Sequence, residues 1–476
     1  MAVFVLATIS ALATTQKDFF QNANLNDGNN YNPSGLPSFG TDLLLTTAAT
    51  ALTLNGTSLD ISSLNQTNNA AYLISNGSIS LRPLGGNVIG ANNNDAIYLG
   101  GNNSSLTIQV PLGLAGSNLD VAQAGSTLNI SGSINVDASN MMTKIGSGTL
   151  NLSGSYSAFG GGMAINGGTT NFLAGFSNLT PTRTGLAVNN LNTGPGDAVT
   201  LNVQTSAQFR GLGGVVAAPS SGVNAAIVNV VGPATELSLI FTGAGPTSAT
   251  YAGKIAGDGR VSFTAAQSSF SQTFSGNNTY TGTTTVGGGT LRINGTTSGQ
   301  GNYIVNSDGF VATLTGSGTI GLATNGTVTV GGGNPSRLSA GADSGAGTLN
   351  VVTSGTGGVI FGSASIFLAD IGPAGASDLL AIAGGYIDLT SSTDTLNLNS
   401  LAGGFDGSSY TIATFNQNLG SGVFNTVTGL PANYVVAYLP TAIMIVPVPE
   451  PTIWALAVQG TILLCWGARR LSNRNA

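Results

Sequence analysis

Histidine is absent from this chain, cysteine occurs once, and charge is scarce: 12 Lys and Arg and 18 Asp and Glu among 476 residues. Each shortage closes off a chemistry. Without histidine there is no Ser-His-Asp or Cys-His nucleophile and no imidazole metal site. A single cysteine makes neither an intramolecular disulfide nor a thiolate cluster. Charged residues form 6% of the chain, against roughly 25% in ordinary soluble domains. The net charge of −6 argues against nucleic acid, whose phosphates require clustered Lys and Arg. A mean hydropathy of +0.27 is too modest for many membrane-spanning helices. Disorder is excluded by the 41% of residues that are hydrophobic. What the chain has in abundance is glycine, 71 residues, about twice the usual ~7%, together with Asn, Ser, Thr and aliphatic residues. That is the composition of an exported β-solenoid.

One phrase recurs: glycine, a small residue, threonine, then apolar, polar, apolar. It reads GSTLNIS from Gly125, GSGTLNLSG from Gly146, GGGTLRING from Gly287 and GAGTLNVV from Gly345, with STDTLNLN from Ser392 as a looser copy. Such self-similarity marks stacked supersecondary units. The alternation within each phrase is the period of a strand with one face in and one face out. A helix is disfavoured, because Gly costs up to ~1 kcal/mol per position relative to Ala. Glycine and asparagine at the flanks suit tight corners. Thr290, Thr319 and Thr348 open three such units 29 residues apart, which predicts Leu291, Ile320 and Leu349 as one inward ladder. Coils of roughly 22–29 residues would give fifteen to twenty turns, a rod on the order of 70–95 Å long at ~4.8 Å per coil. The stretch Tyr434 to Val446 is expected as its last coil, capping one sheet edge.

The segment SGNNTYTGTTTVGGGTLRING, Ser275 to Gly295, resembles the autotransporter-associated β-strand repeat, and KIGSGTLNLSGSYSAFGGGMAINGGTTNFLAG, Lys144 to Gly175, is similar to it. NANLNDGNNYNPSGLPSFGTDLLL, from Asn22, resembles the opening of such repeat proteins, with an aromatic near Tyr31 but none near Leu25. SDLLAIAGGYIDLTSSTDTLNLN, from Ser377, resembles their last coils. The resemblance implies an all-β, right-handed parallel β-helix and no activity. Self-secreting members end in a membrane barrel; no such run of strands is read here, so self-translocation is not expected.

Both ends read as addresses. Residues 1–15 carry AVFVLATISALA, Ala2 to Ala13, an apolar run closing on small residues as a secretory signal does, though no basic residue precedes it. A buried first strand is the alternative. Residues 16–446 form the β-helical body, and residues 447–476 change character altogether. There Val448, Pro449, Glu450 and Pro451 precede an apolar run from Ile453 to Trp466, and Arg469, Arg470 and Arg474 follow it. Such a run forms a short helix of roughly 23 Å, less than the ~30 Å hydrocarbon core, with arginines preferring the cytoplasmic side. The three-part order resembles the PEP-CTERM sorting signal. The resemblance implies transient insertion in the inner membrane and processing by an exosortase. A plain C-terminal anchor is the alternative.

Carboxylates are the remaining candidates for chemistry, since some β-helices are polysaccharide lyases or glycosidases, whose paired acids stand ~5–9.5 Å apart. Asp370 with Asp378, and Asp388 with Asp394, each lie beside Gly, Ser or Thr in what reads as a corner, where Asp caps its own backbone. No basic residue occurs from Leu338 to Gly467, so these acids lack the cation a lyase needs. Asn24, Asn26, Asp27, Asn29 and Asn30 offer oxygens to a hard cation but read better as a polar cap. Asn-x-Ser/Thr triplets, such as those at Asn55, Asn65 and Asn294, follow from composition. Cys465 reads as a small apolar residue. Lys144 and Lys254 each precede Ile and a glycine-rich corner, as repeat grammar rather than a binding patch.

The expectation is an exported, non-catalytic cell-surface or matrix protein with a structural or adhesive role. It would need no cofactor or metal. Its partners would be the Sec export machinery, an exosortase and the surrounding exopolysaccharide. The rival is a β-helical carbohydrate-active enzyme.

Overall fold

The computed structural model describes residues 15–448, apart from 20–24, 26, 47–49, 84–94, 116–117, 137–139, 155, 157–161, 178–184, 191–197, 215–225, 243–246, 333–334, 342–344 and 420–421. The expected signal segment up to residue 14, the Pro449–Pro451 motif, Cys465 and the expected helix with its three arginines therefore lie outside the described residues, while Thr15 opens the first strand. Among the described residues no helix is long and apolar enough to cross a membrane.

The body is a parallel β-helix. Its strands are short because each glycine- or asparagine-rich corner ends the alternation after two or three inward residues. One turn illustrates the path: Ala312–Thr315, then Thr319–Thr324, then Thr327–Val330, after which Ser336–Ser339 returns to stack on Ala312–Thr315. Three faces result. A ten-stranded sheet begins with Tyr31–Asn32 beside Thr15–Phe19 and reaches Leu212–Gly213, where a bridge from Gly214 to Tyr251 leads into an eight-stranded sheet ending at Thr426–Thr428. The second face runs through an eleven-stranded sheet to Lys254–Gly257 and is continued by another of eight strands. The third runs from Phe176–Ser177 to Gln417–Leu419 in ten strands. At ~4.8 Å per coil the rod is on the order of 80 Å long.

Inward positions stack into apolar columns. One column runs Leu106, Leu128, Leu150, Thr170, Leu201, Val228 and Ile255 through successive registers. Aromatics fill part of the interior, where the rings of Phe172, Phe176 and Phe209 stack with centroids 5.0 to 5.8 Å apart.

Leu291, Ile320 and Leu349 are all fully buried, as expected, but they do not form one ladder. Leu291 belongs to the first face and pairs with Leu314, whereas Ile320 and Leu349 belong to the second. There Ile320 pairs with Val351, and Leu349 with Leu380. The same phrase serves two faces, and corner lengths vary, so a constant spacing does not measure one coil.

The ends are closed by reversals of direction. At the start, Tyr31–Asn32 pairs antiparallel with Thr15–Phe19. Tyr31 is buried against Phe19 and donates its hydroxyl to the Leu25 carbonyl at 2.6 Å. Asp27 caps the 3-10 turn Gly28–Asn30 by accepting from the Asn29 amide at 3.0 Å, and Lys17 holds the carbonyls of Pro33, Ser34 and Gly35. Asn24 and Asn26 lie outside the described residues. The far end differs from expectation: Tyr434–Leu439 and Ala442–Pro447 are not a further parallel coil but an antiparallel hairpin, paired antiparallel to Tyr410–Thr414. Burying Tyr434, Ile443 and Ile445 this way covers the last coil without presenting another open parallel edge.

Candidate functional surfaces

The four carboxylates singled out in the sequence come near one another in pairs, but not as a cleft. Asp378 is buried; Oδ1 accepts from the Gly347 amide at 3.0 Å and Oδ2 from the Asp370 amide at 3.2 Å. Burial pushes its carboxyl up to about 7. Asp388 accepts from the amide and hydroxyl of Thr390 at 2.9 and 2.7 Å, closing a corner. Asp394 is fully buried, and Oδ1 accepts from the Asn425 amide at 2.8 Å while Oδ2 has no hydrogen-bond partner. Its carboxyl is also raised by burial. Three of the four thus work as backbone caps, as corner aspartates should. Asp370 is the exception. It stands in a strand, Ser365–Ile371, rather than a corner, and Oδ1 accepts from Asn399 Nδ2 at 2.7 Å on the outer face.

That face carries a groove of about 380 Å³ lined by Thr290, Thr313, Thr315, Ser339, Asp370 and Asn399, among others. Its size falls within the ~300–1,000 Å³ of ligand pockets, but its walls are hydroxyls and amides. A second hollow, about 430 Å³, lies on the third face beside Ser206, Gln208 and Glu236. Glu236 accepts hydrogen bonds there from Ser238 and Ser262.

Sequence reasoning missed a buried ionisable group near the start of the rod. Lys144 occupies an inward position, stacked between Leu119 and Ile165, and is completely buried. Its Nζ donates to the carbonyls of Ile145, Gly146 and Gly167 at 2.8, 2.8 and 3.1 Å. Gly146 has φ +77°, and a side chain there would collide with the Val121 carbonyl, so the corner that the lysine ties together requires glycine. Burial lowers the Lys144 ammonium to about 7. Nearby, burial and the Asp95 carboxylate raise Asp120 to about 6. Lysine in a strand reads as outward in any sequence; only the register puts this one inside. Reading Lys144 as repeat grammar did not foresee that its side chain turns inward and ties the corner through three carbonyls. Among the described residues no group of three or more acidic, thiol or imidazole side chains could hold a metal ion.

The second face bears a regular outer ladder. Asn129, Asn151, Asn171, Asn202 and Asn229 occupy the same outward position on successive coils. Each donates from Nδ2 to the side-chain oxygen before it: Asn129 to Thr107 at 3.2 Å, then 2.8, 2.7, 2.7 and 3.2 Å up the row. Two residues before each Asn from Asn129 to Asn202 stands a threonine, forming a parallel hydroxyl row of Thr127, Thr149, Thr169 and Thr200.

Residues 142–171 and 271–293 match the passenger-associated transport repeat family. These are the stretches where the sequence resembles the autotransporter-associated β-strand repeat; the first holds strands of the first and second faces, and the second holds strands of all three. The match supports a secreted or cell-surface β-helix of the passenger kind. It names a structural repeat of passenger proteins rather than a known catalytic family. No curated protein matches the chain.

Proposed function

We propose that this chain is an exported, non-catalytic surface rod with a structural or adhesive role, delivered by the Sec machinery. In this reading its tail is a PEP-CTERM signal that inserts transiently in the inner membrane for an exosortase, leaving the body in the envelope or matrix, among exopolysaccharide. The observation that carries the reading is the use of the acids. Asp378, Asp388 and Asp394 are committed to backbone amides, while the outer rows of the second face from Thr127 to Asn202 are neutral hydrogen-bonding side chains. A glycosidase needs one carboxyl to protonate the leaving oxygen and another open to the sugar; buried Asp378 and Asp394 meet neither need. The repeats support the surface location.

Two measurements test this. Protease treatment of intact native cells should release peptides from the body before any cytoplasmic marker. Recovery of the body only with the cytoplasmic fraction would overturn the proposal. Incubation of pure protein with neutral and uronic polysaccharides should yield no new reducing ends or unsaturated products. Cleavage abolished by Asp388→Asn or Asp394→Asn would make the chain an enzyme instead.

A further inference from the structure

The threonine and asparagine rows of the second face form a two-dimensional lattice. Four consecutive strands carry both rows, from Thr127–Ile130 to Val199–Val203, flanked by a strand with Ser105 and Thr107 before them and one with Ile227 and Asn229 after. Rungs repeat at ~4.8 Å along the axis, and the two rows stand about 6.6 Å apart across it. Each interior asparagine spends one N–H and one oxygen lone pair on its neighbours in the ladder. That leaves a second N–H and a second lone pair on Asn129, Asn151, Asn171 and Asn202, each with a threonine hydroxyl beside it. The amides are fixed by their own ladder, so little rotamer freedom remains to be lost on binding.

Neither row holds an ionisable side chain between Ser105 and Asn229. Polyanions and polycations therefore find no counter-charge on it. A second copy of the chain is also a poor fit. The lattice spans about 24 Å by 13 Å, on the order of 300 Å², whereas a standard interface needs roughly 800 Å² from each partner. What fits is narrow, uncharged, linear and dense in groups that both donate and accept. We propose that this face is a docking track for one chain of a neutral, extended β-linked polysaccharide lying parallel to the solenoid axis. An extended pyranose chain advances per sugar by nearly the coil rise, so each sugar meets the same pair of side chains. The inference rests on the adhesive reading above and locates its contact surface away from the groove at Asp370.

The test uses the full-length protein and its depletion from solution by amorphous cellulose and by chitin, with cross-linked polygalacturonate as the anionic comparison. Thr149→Val with Thr169→Val removes two hydroxyls while keeping the β-branched shape, and Asn151→Ala with Asn171→Ala breaks the ladder. Thr313→Val with Ser339→Ala alters the groove on the other face. Thermal melts show which variants fold. The track predicts salt-insensitive binding to cellulose or chitin, weakened about tenfold by the threonine pair and unchanged by the groove pair. Binding indifferent to the threonine and asparagine pairs, or lost with the groove pair, overturns the track but leaves an adhesive rod. Salt-sensitive preference for polygalacturonate overturns the neutral-ligand assignment. Retention by none of the three overturns both the track and the adhesive role.

Discussion

Asn202 donates to Asn171 at 2.7 Å across 31 residues of chain, and Asn171 donates to Asn151 at the same 2.7 Å across 20. Coil length changes by half while the stacking does not. The extra chain of the longer coil is taken up between strands, and the rungs stay in register because inward columns and the outward ladder both demand it. In parallel β-structure an identical side chain directly above another is the arrangement that lets amides bond along the axis.

Removing one rung should therefore cost two bonds. Asn171→Ala leaves Asn202 without its acceptor and Asn151 without its donor, at half-buried positions. A loss of about 1–2 kcal/mol is expected, read by urea denaturation with an unchanged slope. Stability equal to that of the parent would show the ladder to be incidental.

Asp378 should give the rod a measurable acid preference. Its folded pKa of about 7 lies above the 3.8 of the free group, so its contribution is fully present below about pH 4. It is lost as pH rises toward 7 and is constant beyond. Asp378→Asn stays neutral and can still accept from the Gly347 amide. The melting temperature of the variant should rise relative to the parent between about pH 4 and 7, then run parallel to it. A difference that does not change with pH would show that Asp378 is ionised in the folded protein.

The sign for Lys144 is opposite in direction of titration. Its folded pKa of about 7 lies below the free value of 10.5, so stability is present above about pH 10.5 and is lost as pH falls to 7. Lys144→Met keeps an apolar stem between Leu119 and Ile165 but gives up the Nζ hydrogen bonds to the corner carbonyls, of which the neutral amine can make two at a time. The variant should be weaker by about 1–3 kcal/mol at high pH, with the deficit narrowing toward pH 7. Parallel stability curves across that range would refute a buried, depressed lysine.

The strand phrases were legible because Leu128 and Ile130, or Leu150 and Leu152, alternate with Thr and Asn at the strand period. Their burial follows directly. Stacking order was not legible. The first and second faces use the same phrase, so the 29-residue recurrence joined Leu291 to residues on another face. The hairpin from Tyr434 also escaped, since antiparallel and parallel strands share one alternation and differ only in what they pair with. As for the site, corner aspartates were readable from their Gly, Ser and Thr neighbours. Asp370 was not, because its outward place depends on Asn399 in the next coil.

The tail offers the most direct check on the proposed route to the surface. The backbone hydrogen bonds of the C-terminal hairpin end with the Val448 amide, which donates to the Asn433 carbonyl at 2.8 Å, directly after the Tyr434–Pro447 pair. Ile443 and Ile445 within the hairpin are fully buried. A chain ending at Glu450 therefore keeps the whole cap, whereas one ending at Leu439 strips it and opens the edge of Tyr410–Thr414. If an exosortase processes the PEP-CTERM segment, mature protein from native cells should end near Glu450 and lack Trp454 and Cys465. A recombinant chain ending at Glu450 should melt within about 2 °C of the full-length protein, and one ending at Leu439 should aggregate through its exposed edge. Mass spectrometry finding surface material intact through Ala476 would refute processing and leave a plain C-terminal anchor, since arginines in hydrocarbon cost at least ~2.5–3.5 kcal/mol each and would hold the tail in place.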